Sequence, residues 1–296
     1  MRAAVVAVIL AGCTVGDDPI EVSVDEPFPA ELAAGDVIRA GDVAVEVPAA
    51  GETVTITVDD EHGDSFELAI ANAHDGIVTI VTTAPDDEPL VIAAGSPAPC
   101  QDGAFKLAGH RWTTEYRWKF QAGSTPGANS RDNVETGLVR AANAITGSRN
   151  SCGFADLVSA THQYLGRTTS APNIKGGTTS VSCGARDSVN TVGFGALPST
   201  YLGVACSWSD GNGVALEGDV KLSTRHAWYA LGVPSGCTKR FGIQPVGAHE
   251  FGHIFGLGHV SESNHPNLTM STATAPCTNA GLSLGLGDVR ALRQLY

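Results

Sequence analysis

The feature that most constrains the fold lies between His249 and His259, where three histidines follow one another at short intervals. His249 and His253 are four residues apart, so on an α-helix their imidazoles lie one above the other and can reach one cation. Gly256 and Gly258 then allow the chain to leave the helix sharply, which brings His259 back toward the same point. The spacing predicts a helix and a tight turn built around a metal ion.

The ligand set indicates the metal chemistry. Three neutral imidazole nitrogens leave one tetrahedral position of Zn²⁺ open, which is typical of a catalytic site and not of a closed structural one. Glu250 follows the first histidine directly, so its carboxylate can take a proton from water at the metal and pass it to a leaving amine. We predict Zn²⁺ held by His249, His253 and His259, with Glu250 as the catalytic base. A buried helix with satisfied histidines is the alternative.

The full motif over residues 249–259 resembles that of the metzincin clan of zinc peptidases. In that clan a methionine turn lies beneath the metal, and Met270 is the candidate because the other methionine is the initiator. Ordinary core packing is the alternative role for Met270. Within the clan, the acidic pair Glu217 and Asp219 and the closing segment 284–296 resemble the matrixins.

This resemblance implies an α+β catalytic domain with a twisted mixed sheet, an active-site helix and a C-terminal helix. It implies an endopeptidase that hydrolyses extracellular or periplasmic proteins through a zinc-activated water. Residues 203–208 would be the edge strand to which an extended peptide substrate adds, although an ordinary strand is equally consistent. Structural Ca²⁺ at Glu217 and Asp219 is a further implication, with hydrogen-bonded structural acids as the alternative.

Three departures separate the chain from the matrixin pattern. Matrixins commonly carry serine after the third ligand, whereas this chain has Val260 followed by Ser261. The interval from His259 to Met270 is longer than theirs. Their inhibitory cysteine switch is not recognisable, because Cys100 lacks the surrounding motif and is more simply a disulfide partner. The subfamily and the latency mechanism therefore stay open.

Charge divides the 296-residue chain, whose net charge is −13, into two parts. Residues 14–99 contain 19 acidic residues and one basic residue, whereas residues 100–296 contain 12 acidic and 16 basic residues. Neither part has a concentrated basic stripe, which argues against a nucleic-acid partner. The expected partners are protein or peptide substrates.

The hydrophobic pattern changes with the charge. Apolar residues alternate with polar ones up to about residue 83, which predicts a small acidic β-rich domain over residues 14–83. A linker over 84–99 and the catalytic domain over 100–296 follow, with Ser130 as the N-cap of a helix that ends near Gly147. The acidic domain is either a propeptide, held against the basic part by charge, or a permanent spacer or substrate-binding module.

Two further groups of polar residues are interpreted as having no metal role. The acids at 59–64 lack an EF-hand pattern and are interpreted as a charged, solvated turn. The histidines outside the motif lack ligand spacing and are interpreted as surface or turn residues. They are His62, His74, His110, His162, His226 and His265.

The N-terminus indicates export. An apolar run over residues 3–11 is too short to span a bilayer, and residues 10–13 resemble the lipobox of bacterial lipoproteins. We predict a signal peptide over residues 1–12 and lipid attachment at Cys13, so that the membrane is contacted only through this anchor. An ordinary signal peptide is the alternative. The protein would be a cell-envelope lipoprotein or secreted, and its other six cysteines should form three disulfides in one of 15 pairings.

Two rival functions are consistent with the sequence. One is a surface-binding or adhesion protein that retains a zinc-peptidase fold without turnover, but such a protein usually lacks the glutamate that Glu250 supplies. The other is a metallohydrolase that acts on a different bond.

Overall fold

A computed structural model describes residues 5–7, 20–21, 32–60, 66–74, 78–83, 97–127, 129–261 and 264–296. Lipid attachment at Cys13 and most of the predicted linker lie outside these residues, so both stay predictions.

Three α-helices occur in the described residues: α1 (Arg131–Thr146), α2 (Ile243–Ile254) and α3 (Leu286–Leu295). Ser130 caps α1 as predicted, because its hydroxyl oxygen accepts a hydrogen bond from the backbone N–H of Asn133 at 3.4 Å. None of the described helices is long and apolar enough to cross a membrane.

The described residues also form eighteen β-strands. They are β1 (Val5–Ala7), β2 (Ile20–Glu21), β3 (Val37–Ala40), β4 (Val43–Glu46), β5 (Glu52–Asp60), β6 (Phe66–Asn72), β7 (Val78–Thr83), β8 (Lys106–Leu107), β9 (Tyr116–Gln121), β10 (His162–Thr168), β11 (Ile174–Gly176), β12 (Val181–Cys183), β13 (Asn190–Gly195), β14 (Tyr201–Asp210), β15 (Ala215–Ser223), β16 (Ala227–Tyr229), β17 (Arg240–Gly242) and β18 (Leu257–Gly258).

The largest sheet has nine strands in the order β1-β7-β6-β5-β14-β15-β13-β9-β10. It is mixed, because β13 pairs in parallel with β9 and β15, whereas β14 pairs antiparallel with β15 and β5. A five-stranded sheet has the order β11-β12-β4-β3-β2, and two two-stranded sheets complete the described structure. A mixed sheet with three α-helices agrees with the predicted α+β class.

Strands from the acidic part of the chain continue the sheets of the later part. β5 pairs antiparallel with β14 along its whole length, from Glu52 opposite Asp210 to Asp60 opposite Tyr201. β4 pairs in parallel with β12. Residues 203–208, predicted to be an edge strand, therefore lie inside the sheet with β5 along their outer side.

The two parts also share a hydrophobic core. Ile56 of β5 and Ile38 of β3 are fully buried in one cluster with Val204 and Trp208 of β14 and Val181 of β12. A second core lies between the helices and the other face of the main sheet, with Trp118 and Phe251 among its fully buried side chains. The acidic segment is thus packed onto the later part of the chain by apolar contacts, in addition to any attraction between charges.

The predicted number of disulfides is confirmed. The pairs are Cys100–Cys152, Cys183–Cys206 and Cys237–Cys277. Cys100 is therefore a disulfide partner, as the sequence indicated.

The shared core predicts that a substitution in β5 destabilises the later part of the chain. Ile56→Ala removes a fully buried side chain and should lower the free energy of unfolding by about 2–5 kcal/mol. All four tryptophans lie between residues 112 and 228, so urea denaturation followed by tryptophan fluorescence reports on the later part alone. Leu165→Ala, at an exposed position, is the control and should change stability by less than about 0.5 kcal/mol. An unchanged tryptophan transition in Ile56→Ala would contradict a shared core.

Candidate metal centre

Helix α2 and the turn after it bring the three histidines of the motif together. His249 and His253 are one turn apart on α2 and are both buried. The helix ends at Ile254 with Phe255 as its C-cap. Gly256 then adopts a φ of +87°, where a Cβ atom would lie 2.1 Å from the carbonyl oxygen of His110. Only glycine fits this turn, which directs His259 back to the other two rings.

The Nε2 atoms of the three rings converge on one point. His249 and His253 are 3.0 Å apart at Nε2, and each lies 3.1 Å from Nε2 of His259. Tetrahedral ligands at a Zn–N distance of about 2.0–2.1 Å would be roughly 3.3–3.4 Å apart. The three nitrogens therefore form one face of a tetrahedron of nearly the size that Zn²⁺ requires.

Backbone carbonyl groups determine the tautomers of two of these rings. Nδ1 of His249 lies 2.7 Å from the carbonyl oxygen of Thr269, and Nδ1 of His253 lies 2.9 Å from that of Leu257. A carbonyl oxygen only accepts, so each Nδ1 carries the proton and donates it. In the neutral rings both Nε2 atoms then present lone pairs to each other, which is not a hydrogen bond. A cation between them satisfies both, and this is the outer-shell pattern of metal-binding histidines.

A carboxylate from the acidic part of the chain completes the cluster. Oδ1 of Asp59 lies 2.8 Å from Nε2 of His249 and 2.5 Å from Nε2 of His259, while Oδ2 lies 3.6 Å from Nε2 of His253. One ligand atom from each of the four residues lies within 4.8 Å of the others, so the group could hold a metal ion. Burial opposes ionisation of Asp59, but His249 and His259 hold the pKa of this carboxyl well below its ordinary value.

The interpretation of the acids at 59–64 as a solvated turn is wrong for two of them. Asp59 and Asp60 are 6% and 5% exposed and end strand β5. Glu61 and Asp64 lie outside the described residues. No local signal separates Asp59 from its acidic neighbours, because its partners lie about 190–200 residues later and are reached only through the pairing of β5 with β14.

Glu250 lies beside the cluster and is completely buried. Neither of its carboxyl oxygens receives a hydrogen bond from an N–H or O–H donor in the described part of the chain. Burial, together with the charge of Asp59, raises the pKa of Glu250 well above its ordinary value.

Strand β14 passes directly over Glu250. A Cβ atom at Gly203 would lie 1.7 Å from Oε1 of Glu250, so only glycine leaves room for the carboxyl group. In the pairing of β14 with β5, the residue opposite Gly203 is Asp59. Whatever chain pairs with β14 at this point therefore lies next to both Glu250 and the imidazoles.

Met270 packs against α2, and its role in a methionine turn stays a prediction. It is 2% exposed, and a Cβ atom at Gly252, between the two histidines of α2, would lie 2.3 Å from its Sδ atom. The turn that carries Met270 is organised by Asp288, a residue that sequence reasoning missed. Its carboxylate accepts hydrogen bonds from the backbone N–H groups of Thr269 at 2.9 Å, Met270 at 3.2 Å and Gly285 at 2.8 Å.

Most of the other histidines lie away from the cluster. His110 is the exception to their interpretation as surface or turn residues, because it is 4% exposed and its Nε2 lies 3.1 Å from the carbonyl oxygen of His253. Burial lowers the pKa of His110 and favours the neutral ring. Of the remainder, His74 is exposed, His162, His226 and His265 are half-buried, and His62 lies outside the described residues.

Glu217 and Asp219 are buried on β15 and are held by backbone N–H groups. The oxygens of Asp219 accept hydrogen bonds from Thr191 and Asn173, and those of Glu217 accept from residues 187 and 188. Burial raises the pKa of Glu217 to about 7. These hydrogen bonds are what we expect if Glu217 and Asp219 are structural acids. Binding of Ca²⁺ by the two residues stays a prediction.

Residues 199–296 match the matrixin family of peptidases. The matched segment is the C-terminal third of the chain and includes the three histidines, Glu250 and Met270, whereas Asp59 lies outside it. No curated protein sequence matches the chain. The match supports a metzincin-like, matrixin-like zinc peptidase and therefore protein or peptide substrates.

Metal binding should stabilise the folded protein, because the histidines converge only in the fold. A free zinc concentration 100 times Kd should stabilise it by about 2.7 kcal/mol, measured as a rise in Tm that a chelator reverses. His249→Ala should abolish the rise. His226→Ala, at a half-buried histidine away from the cluster, should retain it. An equal rise in both variants would mean that zinc binds elsewhere.

Proposed function

We propose that the protein is a zinc-dependent endopeptidase that hydrolyses peptide bonds of extracellular or periplasmic proteins. The observation that carries this proposal is the convergence of three Nε2 atoms at 3.0–3.1 Å beside a buried carboxyl group that no N–H or O–H donor satisfies. A structural metal site has no use for such a carboxyl group, since its burial costs free energy. A proton-transfer residue requires one.

His249, His253 and His259 would hold the metal through Nε2. The Nδ1 contacts of the first two rings with backbone carbonyl oxygens keep the lone pairs directed at the metal position. Met270 would support the rings from below through its contact with Gly252. Because neutral imidazoles add no charge, the bound Zn²⁺ keeps its full positive charge.

When bound, Zn²⁺ supplies Lewis acidity, which lowers the pKa of water from 15.7 to about 7 and polarises a carbonyl oxygen. Glu250 would accept the proton from the attacking water and then donate it to the nitrogen of the leaving amine. Burial raises the pKa of Glu250, and a carboxylate with a raised pKa accepts a proton more readily than an ordinary one. If Asp59 moved away from the site, its negative charge would no longer oppose ionisation of Glu250, and the ionised, basic form of Glu250 would be favoured.

The polypeptide substrate would pair with β14 on the side away from β15. Addition of a strand to a sheet edge binds any extended peptide through its backbone, with side-chain pockets supplying preference. At Gly203 the substrate backbone would lie beside Glu250, because no side chain separates β14 from that carboxyl group. In the full chain this side of β14 is occupied by β5.

The disulfides favour an exported protein, since such bonds persist in oxidising compartments. A lipid anchor at Cys13 is the finer proposal and rests on the lipobox-like sequence at residues 10–13. Mass spectrometry of the protein from membranes of the native host would test it.

The central test of the peptidase is Glu250→Gln, which keeps the size of the side chain and removes its basicity. Zinc content, measured by elemental analysis, should stay at the wild-type level, while cleavage of an unfolded protein substrate should fall by about 10²–10⁴. The control Glu135→Gln alters a glutamate of α1 that pairs with Arg167. It should retain full cleavage.

Since β5 covers β14, each protein is assayed both intact and after digestion with a glutamate-specific protease. Residues 14–99 contain eight glutamates, against five in residues 100–296, so this digestion favours removal of the acidic part. The digesting enzyme is inhibited before the assay, and Glu250→Gln gives the background. If wild type that binds zinc and has lost residues 14–99, as verified by mass spectrometry, cleaves nothing, the protein is not a peptidase.

A further inference from the structure

We infer that Asp59 is a fourth protein ligand of the metal and that β5 fills the substrate groove, so that the intact chain is a latent form closed by its own acidic segment. This inference rests on the proposed function, because it assumes that the three histidines hold Zn²⁺. It adds to the proposed function a metal ligand that lies outside the matrixin-matching residues 199–296. It also explains why the intact chain would be inactive.

The position of Asp59 relative to the rings is the first argument. Its Oδ1 lies 2.8 Å from Nε2 of His249 and 2.5 Å from Nε2 of His259, within reach of a metal ion shared with the three nitrogens. A catalytic zinc site has three protein ligands and one position for water, whereas a closed site has four protein ligands. With Asp59 in the fourth position, water has no place on the metal.

Burial of Asp59 without other partners is the second argument. The side chain is 8% exposed, and its Oδ2 receives no hydrogen bond from a donor group in the described residues. Oδ1 contacts Nε2 of His259 at 2.5 Å, but a buried carboxylate with one unsatisfied oxygen is unfavourable unless a cation balances its charge. A metal ion in the cluster supplies that cation and satisfies the nitrogen lone pairs at the same time.

Strand β5 is the third argument, because it occupies the side of β14 that a substrate would need. The pairing is antiparallel, and Asp59 lies opposite Gly203, directly above Glu250. Two contacts reinforce it at the ends: Glu52 pairs with Arg186 at 3.1 Å, and the hydroxyl of Tyr201 donates to Asp42 at 2.6 Å. A polypeptide cannot add to β14 while β5 is bound.

The packing also indicates what activation requires. β5 is hydrogen-bonded between β14 and β6, and its Ile56 lies in the shared core. Cleavage of one connecting segment would therefore leave β5 in place. Activity requires that the strand be removed or destroyed, which fits a propeptide degraded after export better than a permanent substrate-binding module.

The test uses the full chain loaded with Co²⁺, whose visible absorption responds to a change of ligand, and azide as a small probe of an open position. In the wild type, azide should leave the spectrum unchanged because four protein ligands fill the tetrahedron. In Asp59→Ala, azide should change it saturably, and zinc affinity should fall by at least about tenfold, the minimum expected even for loss of an outer-shell partner.

Asp59→Asn keeps the size of the side chain and replaces the charged ligand by a weak one, so it should behave like Asp59→Ala if the latter fails to fold. Glu46→Gln is the matched control. It removes a carboxylate from the acidic part of the chain on β4, which pairs with β3 and β12 in the other sheet, and should behave as wild type. Tryptophan fluorescence verifies that each protein is folded.

The outcomes separate this inference from the proposed function. A saturable azide response in the wild type equal to that of the Asp59 variants would overturn the role of Asp59 and leave the peptidase intact. A lack of response in both folded, cobalt-loaded Asp59 variants would also overturn it. Failure of the wild type to bind Co²⁺ or Zn²⁺ at His249, His253 and His259 would instead remove the proposed function.

Discussion

The rest of the site depends on one constraint, which is that three imidazole Nε2 atoms meet at one buried point. Carbonyl oxygens of Thr269 and Leu257 hold the protons of His249 and His253 on Nδ1, so the Nε2 atoms cannot satisfy one another. The turn around Met270 supplies one of those carbonyl groups, and Asp288 holds that turn through backbone N–H groups. These supports are arranged so that a cation is the partner that completes the site.

The pairing of β5 with β14 links the stability of the folded protein to the access of a substrate to β14. The same strand that covers the candidate groove contributes Ile56 to a core shared with Val204 and Trp208. Uncovering the groove therefore exposes apolar surface, which costs roughly 25 cal/mol for each Å² transferred to water. A latent form held in this way is kept closed by hydrophobic burial and backbone hydrogen bonds in addition to the bond from Asp59, and charge attraction alone would be weakened by salt.

Local parts of the site could be predicted because their causes are local. The i and i+4 spacing places His249 and His253 on one face of α2, and the glycine at 256 permits the turn to His259. Ser130 caps α1 through a hydrogen bond from the backbone N–H of Asn133, only three residues later. Asp59 and His110 were misinterpreted because an acid or a histidine in a polar stretch has the same sequence context whether it is solvated or buried.

The sequence by itself predicted the cluster of three histidines with an adjacent glutamate and the number of disulfides, since these follow from spacing and parity, and the family resemblance implied the mixed α+β class. Only the tertiary structure decided which cysteines pair, that Asp288 holds the methionine turn, and that Asp59 meets the histidines. The physical reason is register: β5 must pair with β14 so that Asp59 lies opposite Gly203. This register is fixed by a hydrophobic core that β5 and β14 share. The two strands are about 150 residues apart in the sequence, so no local sequence pattern predicts their pairing.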